Sequence, residues 1–227
     1  MSVAYPGMQL NVIPVTAFRQ NCSVLWNPAT RAALVVDPGG DADVLLDFIA
    51  RNRLVVEAIL LTHGHLDHAG AVAPLCRGLE GAQAQHPAVI GPDRHDAFLL
   101  SSITEQARLF GLSGLENASV DRFTHDGDVL SYAGRALRVL HVPGHTPGHV
   151  AFVDDQARFA FVGDVLFQGS VGRTDFPYGD GPLLIHAIKD KLMPLLDTPG
   201  GDITIVPGHG GLSTLATEQA SNPFLQD

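Results

Sequence analysis

Along this chain, short β-like apolar runs give way to stretches with the 3.6-residue apolar spacing of helices, and each change marks an element boundary. Residues 8–18 are rich in Val and Ile, and 23–26 form a brief apolar run. After the Asn27-Pro28-Ala29-Thr30 turn, residues 32–36 read as a buried strand ending at Asp37-Pro38-Gly39-Gly40. Residues 41–52 place Val44, Leu45, Phe48 and Ile49 at the spacing of a helix buried on one side. Residues 55–61 predict another strand and 69–79 a helix. The pattern then breaks over 92–118, where helical stretches at 94–100 and 104–112 form either a lid or a solvated surface excursion. Strands return at 136–142, 149–153, 159–162 and 203–206, and an amphipathic helix is predicted over 182–196. Strands followed by covering helices in both halves predict an α+β fold: two mixed sheets back to back, helices outside, in one domain over 1–227.

Composition narrows the function. With 227 residues, 45% hydrophobic and 17% charged, the chain has the make-up of an ordinary globular protein. Its formal charge of −10, from Lys+Arg 14 against Asp+Glu 24, opposes binding to nucleic acid or to an anionic membrane surface. No apolar run approaches the roughly 20 residues of a membrane span, and no signal-peptide pattern opens the chain. The two cysteines, Cys22 and Cys76, lie far apart, which excludes a disulfide scaffold and makes a reducing cytoplasm the expected location. Cys76 reads as packing. The eleven histidines are out of proportion to the lysines, and they are unevenly spread.

Where they gather, they follow strands. Thr62-His63-Gly64-His65-Leu66-Asp67-His68 comes directly after Ile59-Leu60-Leu61, and alternation along an extended segment would turn His63, His65 and Asp67 to one side, with His68 entering where the next helix begins. His145 lies in Val142-Pro143-Gly144-His145-Thr146-Pro147-Gly148-His149, again after a strand. Asp164 ends the 159–162 strand and His209 follows 203–206, each beside glycine. Imidazoles and carboxylates without cysteine suit an open site for Zn²⁺, Fe²⁺ or Mn²⁺. Seven donors exceed the need of one ion and match two. The division expected is His63, His65 and His145 on one, Asp67, His68 and His209 on the other, and Asp164 between. Thr62, Asp37 and His149 read as groups that orient these loops, whereas His86, His95, His125, His141 and His186 share no spacing. Arg173 has two readings: contact with a substrate carboxylate at the site mouth, or pairing with Asp175.

This set, His63-x-His65-x-Asp67-His68 followed by His145, Asp164 and His209, resembles that of the metallo-β-lactamase-fold hydrolases across essentially the whole chain. The resemblance implies an αββα sandwich with two divalent ions, zinc first, at one edge. Phe167-Gln168-Gly169-Ser170-Val171-Gly172-Arg173-Thr174-Asp175-Phe176-Pro177, with Thr214, Glu218 and Asn222-Pro223-Phe224, is similar to the bacterial glyoxalase II-like hydrolases, which cleave glutathione thioesters. It implies a small-molecule thioester substrate such as S-lactoylglutathione. Asp67 and Asp164 would position a metal-bridging hydroxide for attack, and one metal would polarise the carbonyl. The chain departs from that family in two places. Eighteen residues without Lys or Arg follow His209, where the family carries a basic helical region, and Gly210-Gly211 stands where it offers an aromatic. Glutathione recognition is therefore weaker, rests on residues such as Arg173 and Tyr178, or is absent. The same fold resembles mononuclear-iron persulfide dioxygenases, which would use His63, His145 and Asp164 alone. A β-lactamase, a nuclease and a non-catalytic metal-binding module rank lower.

Overall fold

The computed structural model describes residues 1–83 and 86–226. Its first sheet has seven strands in sequence order: β1 (Ser2–Tyr5), β2 (Met8–Val15), β3 (Gln20–Trp26), β4 (Ala32–Val36), β5 (Val55–Leu60), β6 (Ala88–Asp93) and β7 (Arg122–Thr124). The strands β1 to β4 pair antiparallel, and β4 to β7 pair parallel, with α1 (Ala42–Arg51) crossing from β4 to β5. In the second sheet β8 (Val129–Tyr132), β9 (Arg135–His141), β10 (Val150–Asp154) and β11 (Phe159–Gly163) are antiparallel neighbours. Beyond the hairpin of β12 (Leu166–Phe167) and β13 (Ser170–Val171), β14 (Thr204–Pro207) pairs parallel with β11, and β15 (Ser213–Thr214) closes the edge.

Three apolar layers hold the sheets and helices together. The two-residue period of the strands sends Leu34, Val36, Leu60, Val150, Phe152, Phe159 and Phe161 between the sheets. Their neighbours Ala33, Val35 and Val56 face α1 and its companion helices, while Ala151, Val153, Ala160 and Val162 face the helices on the other side. Because both faces are covered, β3, β4, β10 and β11 are buried almost throughout, which is why β4, β11 and most of β10 read as continuous apolar runs; β3 buries the polar Gln20, Asn21 and Ser23 as well. The architecture is the expected α+β sandwich of mixed sheets flanked by helices.

Several predicted boundaries move for identifiable reasons. The helix expected over 69–79 is two, α2 (Leu66–Ala69) and α3 (Val72–Glu80), because the Ala71 amide bonds to Pro38 O at 2.9 Å. Asp67 and His68 thus sit on a helical turn, and the extended alternation predicted to carry Asp67 ends at His65. Within the 92–118 break, Gly91-Pro92 masks the end of β6, and α4 (Ala97–Leu100) and α5 (Ile103–Leu109) follow. The single helix predicted for 182–196 is α6 (Gly181–Ala187), then a wider turn at Ile188–Leu192 and a 3-10 turn at Met193–Asp197; Pro194 has no amide to continue the ladder. A last helix, α7 (Leu215–Ser221), and the short strands β1, β7 and β8 carry too few apolar repeats to be read from pattern. Among the described residues no helix is long and apolar enough to cross a membrane.

The inter-sheet layer sets stability. Phe152 is fully buried within it, so Phe152→Ala is expected to lower unfolding free energy by about 3–5 kcal/mol in chemical denaturation.

Candidate metal centre

Strand direction brings the functional loops together. β4 and β5 run parallel, so Asp37 and the 62–68 segment leave the first sheet at the same end. In the second sheet β11 runs antiparallel to β10 and parallel to β14, so the turn entering β10 and the exits of β11 and β14 share one edge. His145, Asp164 and His209 lie at that edge.

His63 Nε2 and His145 Nε2 each stand 3.0 Å from His65 Nδ1. The outer nitrogens fix the protonation of these rings. Thr62 Oγ1 donates to Asp37 Oδ2 at 2.7 Å, so it accepts from His63 Nδ1 at 3.0 Å; His145 Nδ1 donates to Arg173 O at 2.7 Å. Both Nε2 atoms are therefore bare lone pairs turned toward the same point. Burial lowers the pKa of all three rings, His65 to about 3, so they are neutral donors at pH 7. Lone pairs packed this closely repel one another unless a cation lies between them, and neutral imidazoles are the form a metal requires.

The second group lies alongside. Asp67, His68 and His209 offer donors within 4.8 Å of one another, with His209 Nε2 3.3 Å from Asp67 Oδ2. Asp164 stands between the groups: its Oδ1 is 3.3 Å from His68 Nε2, and its Oδ2 is 3.8 Å from His145 Nε2 and 3.6 Å from His209 Nε2. His68 Nε2 and Asp164 Oδ1 are buried without a hydrogen-bond partner. With the Nδ1 proton of His68 committed to Asp37, both orphans are lone pairs, and two bare acceptors at the meeting of two donor groups fit a divalent cation better than an apolar or neutral guest. Burial alone would raise the Asp164 pKa, but His68, His145 and His209 hold it well below the usual carboxylate range. Burial likewise opposes charge on His68, but Asp164 and Asp37 favour a positive charge there, which a cation at Nε2 would supply in place of a second ring proton.

Backbone must come very close here. A Cβ on Gly208 would lie 2.2 Å from Asp164 Oδ1 and 2.5 Å from His68 Cε1, so only glycine lets the chain leading to His209 pass. Asn21 clamps that loop, its Nδ2 donating to Pro207 O and Gly210 O at 3.0 and 2.9 Å. Asp96 performs a similar service: its carboxylate accepts Gly64 N, Thr146 Oγ1 and Gly148 N at 2.9, 2.7 and 2.6 Å, tying the His63–His65 loop to the His145 loop. Burial raises its pKa to about 6 against those three donors. Sequence reasoning missed both. Asn21 carries no motif, and Asp96 falls in the stretch where periodicity fails.

The other candidates are placed as follows. Asp37 accepts Thr62 N, Thr62 Oγ1 and His68 Nδ1 at 2.7, 2.7 and 2.9 Å, which commits its oxygens to orienting. His149 Nε2 accepts the Asp164 amide at 3.0 Å, and its ring stacks on His63. Tyr178 Oη lies 2.9 Å from His65 Nε2. Arg173 is exposed, paired with Asp175 at 2.6 Å and laid over Phe176 at 4.5 Å. Glu218 accepts the Gly169 amide and Asn222 Nδ2 at 2.8 and 2.9 Å, fastening the β12–β13 hairpin beside the centre. Against expectation, two of the histidines without shared spacing do meet: His95 Nδ1 is 2.6 Å from Asp93 Oδ1, and His141 joins them within 4.8 Å. The β6 and β9 strand ends become neighbours only on folding.

Asp96→Asn tests the clamp. An amide presents one acceptor oxygen to three donors, so metal affinity is expected to fall about 10–100-fold in competition with a chromogenic chelator. Unchanged affinity would mean the two loops hold their geometry without it.

Known proteins share this fold and much of this sequence. The sequence profile of the metallo-beta-lactamase superfamily matches residues 15–209. Hydroxyacylglutathione hydrolase GloC of Haemophilus influenzae is 46% identical over 221 residues, covering 96% of this chain and 98% of that protein. Among solved structures, the BLEG-1 B3 metallo-beta-lactamase superposes with a TM-score of 0.84 at 33% identity, covering 96% of this chain and all of that one. TTHA1623 in a di-iron-bound form gives 0.81 at 35% identity, covering 95% of this chain and 100% of the other. Fold, donor set and sequence agree: the chain belongs to the metallo-beta-lactamase superfamily.

Proposed function

We propose that this protein is a metal-dependent thioester hydrolase of the glyoxalase II type, converting an S-hydroxyacylglutathione such as S-lactoylglutathione into the hydroxy acid and glutathione. The observation that carries this reading is the 46% identity to a hydroxyacylglutathione hydrolase over nearly the full length of both chains. It is joined by the two donor groups that share Asp164. His63, His65 and His145 would hold one divalent ion, Asp67, His68 and His209 a second, with Asp164 between them. An all-nitrogen-and-oxygen set accommodates zinc, iron or manganese; zinc is the first candidate, and the two irons of the similar TTHA1623 structure support a two-ion site. The two free cysteines, both buried, accord with a reducing cytoplasm.

When bound, such ions acidify water and withdraw electrons from a carbonyl oxygen. The chain supplies the rest. Burial opposes charge on Asp67, but His209 holds it ionised, so its carboxylate can accept a proton from the attacking water and aim its lone pair at the carbonyl carbon. The departing group is a thiolate, whose conjugate acid has a pKa of about 8.5, so no side chain need be kept protonated for it. Tyr178, pushed up to about 12 chiefly by burial, stays protonated beside His65 and faces the cavity where substrate would lie. Arg173 can meet a glutathione carboxylate only by sharing its guanidinium with Asp175.

Purified holoprotein is expected to hold two equivalents of divalent metal per chain and to hydrolyse S-lactoylglutathione, with chelation abolishing turnover and metal restoring it. Asp164→Ala should lose metal and lower kcat/KM by about 10²–10³-fold, as removal of a main electrostatic group does. Full turnover in that variant would sink the two-ion account, and oxygen uptake with glutathione persulfide would favour the dioxygenase reading.

A further inference from the structure

Four of the large hydrophobic side chains left open to solvent, Phe18 (38% exposed), Phe98 (46%), Leu109 (73%) and Phe110 (59%), surround one cavity. They come from three places: the β2–β3 turn, α4 and the end of α5. Phe18 meets Phe110 edge-on at 5.7 Å, and Phe98 meets Tyr178 at 5.4 Å, so two aromatic pairs line the rim of the same cavity. Soluble proteins seldom leave such a patch uncovered without a ligand for it. The cavity floor identifies that ligand, because His65, Asp67, His145, Asp164 and His209 form it. Whatever fills the apolar part must present its reacting atom to these groups.

Size and charge narrow the occupant further. The cavity encloses about 850 Å³. A lactoyl group has five heavy atoms and, at about 30 Å³ each, the share of one water, fills only about 150 Å³. Glutathione carries two carboxylates and an ammonium, which apolar walls cannot desolvate without loss. Among the described residues, the charged side chains on the walls away from the floor are Glu105 and Arg173, and Arg173 is already closed on Asp175.

We propose that the Phe18, Phe98, Leu109 and Phe110 wall binds the acyl portion of the substrate and selects apolar acyl groups, of medium chain length or aromatic, over lactoyl, while the peptide of the thiol stays at the solvent edge. The inference rests on the thioester-hydrolase reading. Water oxygen bonds to the carbonyl carbon, the carbon–sulfur pair leaves with sulfur as thiolate, and the products are the carboxylate and the free thiol after proton release to solvent.

The test compares S-acetylglutathione with S-hexanoylglutathione on the metal-loaded enzyme, two substrates that differ by four methylenes. A buried methylene is worth up to about fourfold in affinity. The hexanoyl substrate is therefore expected to show kcat/KM at least tenfold higher, and Phe110→Ser and Leu109→Ser, both at exposed positions, should each cut that ratio several-fold. A second readout needs no turnover: non-hydrolysable S-hexylglutathione should bind at least tenfold tighter than S-methylglutathione by calorimetry, with a negative heat-capacity change. A hexanoyl-to-acetyl ratio near one, or a high ratio that both variants leave unaltered, overturns the proposal while leaving the hydrolase standing. If no thioester is cleaved with both ions bound, the hydrolase reading fails instead, and equal binding of the two thioethers would then overturn the apolar wall as well.

Discussion

The carboxylate of Asp37 is the interaction on which the centre depends. It ends β4 with a left-handed backbone, and its two oxygens take the amide and hydroxyl of Thr62 and the Nδ1 proton of His68. Through the Thr62 hydroxyl it reaches His63 as well. One buried acid therefore fixes the tautomer and direction of a ring in each donor group, leaving both Nε2 atoms bare. An ionised group this deep would be costly alone; here three donors offset the desolvation. The parallel pairing of β4 with β5 makes the arrangement possible, since it brings the ends of two strands to the same height.

Around this point the fold works as a frame for loops that would not hold their shape separately. Each donor loop is tied by a group from elsewhere in the chain: Asn21 holds the turn carrying His209, Asp96 joins the loops of His63 and His145, and Glu218 with Asn222 secures the β12–β13 hairpin. Outer partners of this kind set the orientation of metal-binding side chains and the strength of the site. The three apolar layers supply the rigidity behind them, because close-packed sheets leave the strand ends little freedom to move.

Electrostatics and cavity shape divide the work of recognition. The chain carries a net charge of −10 and gathers Asp67 and Asp164 at the centre, an environment that draws divalent cations and gives little purchase to polyanions. Beyond the centre the walls turn apolar, with aromatic rings where a binder of anionic peptides would place lysines and arginines. Chemistry at the floor and selection at the walls thus come from different parts of the chain.

The sequence by itself determined the donors. Short motifs placed His63, His65, Asp67, His68, His145, Asp164 and His209 at strand ends beside glycine, and short apolar runs followed by helical spacing in both halves predicted two sheets with helices outside, because ligand type and apolar patterning are local properties. What only the tertiary structure decided is whatever depends on distant segments meeting. The Pro38 carbonyl splits one predicted helix and puts Asp67 on a helical turn. Asp96, in a stretch without periodicity, becomes the clamp between two donor loops, and Asp93, His95 and His141 gather from two strand ends. Phe18, Phe98, Leu109 and Phe110, unremarkable at their own positions, become one wall because the β2–β3 turn folds against α5. Side chains far apart in the chain acquire a shared role only when burial and strand pairing fix the distance between them.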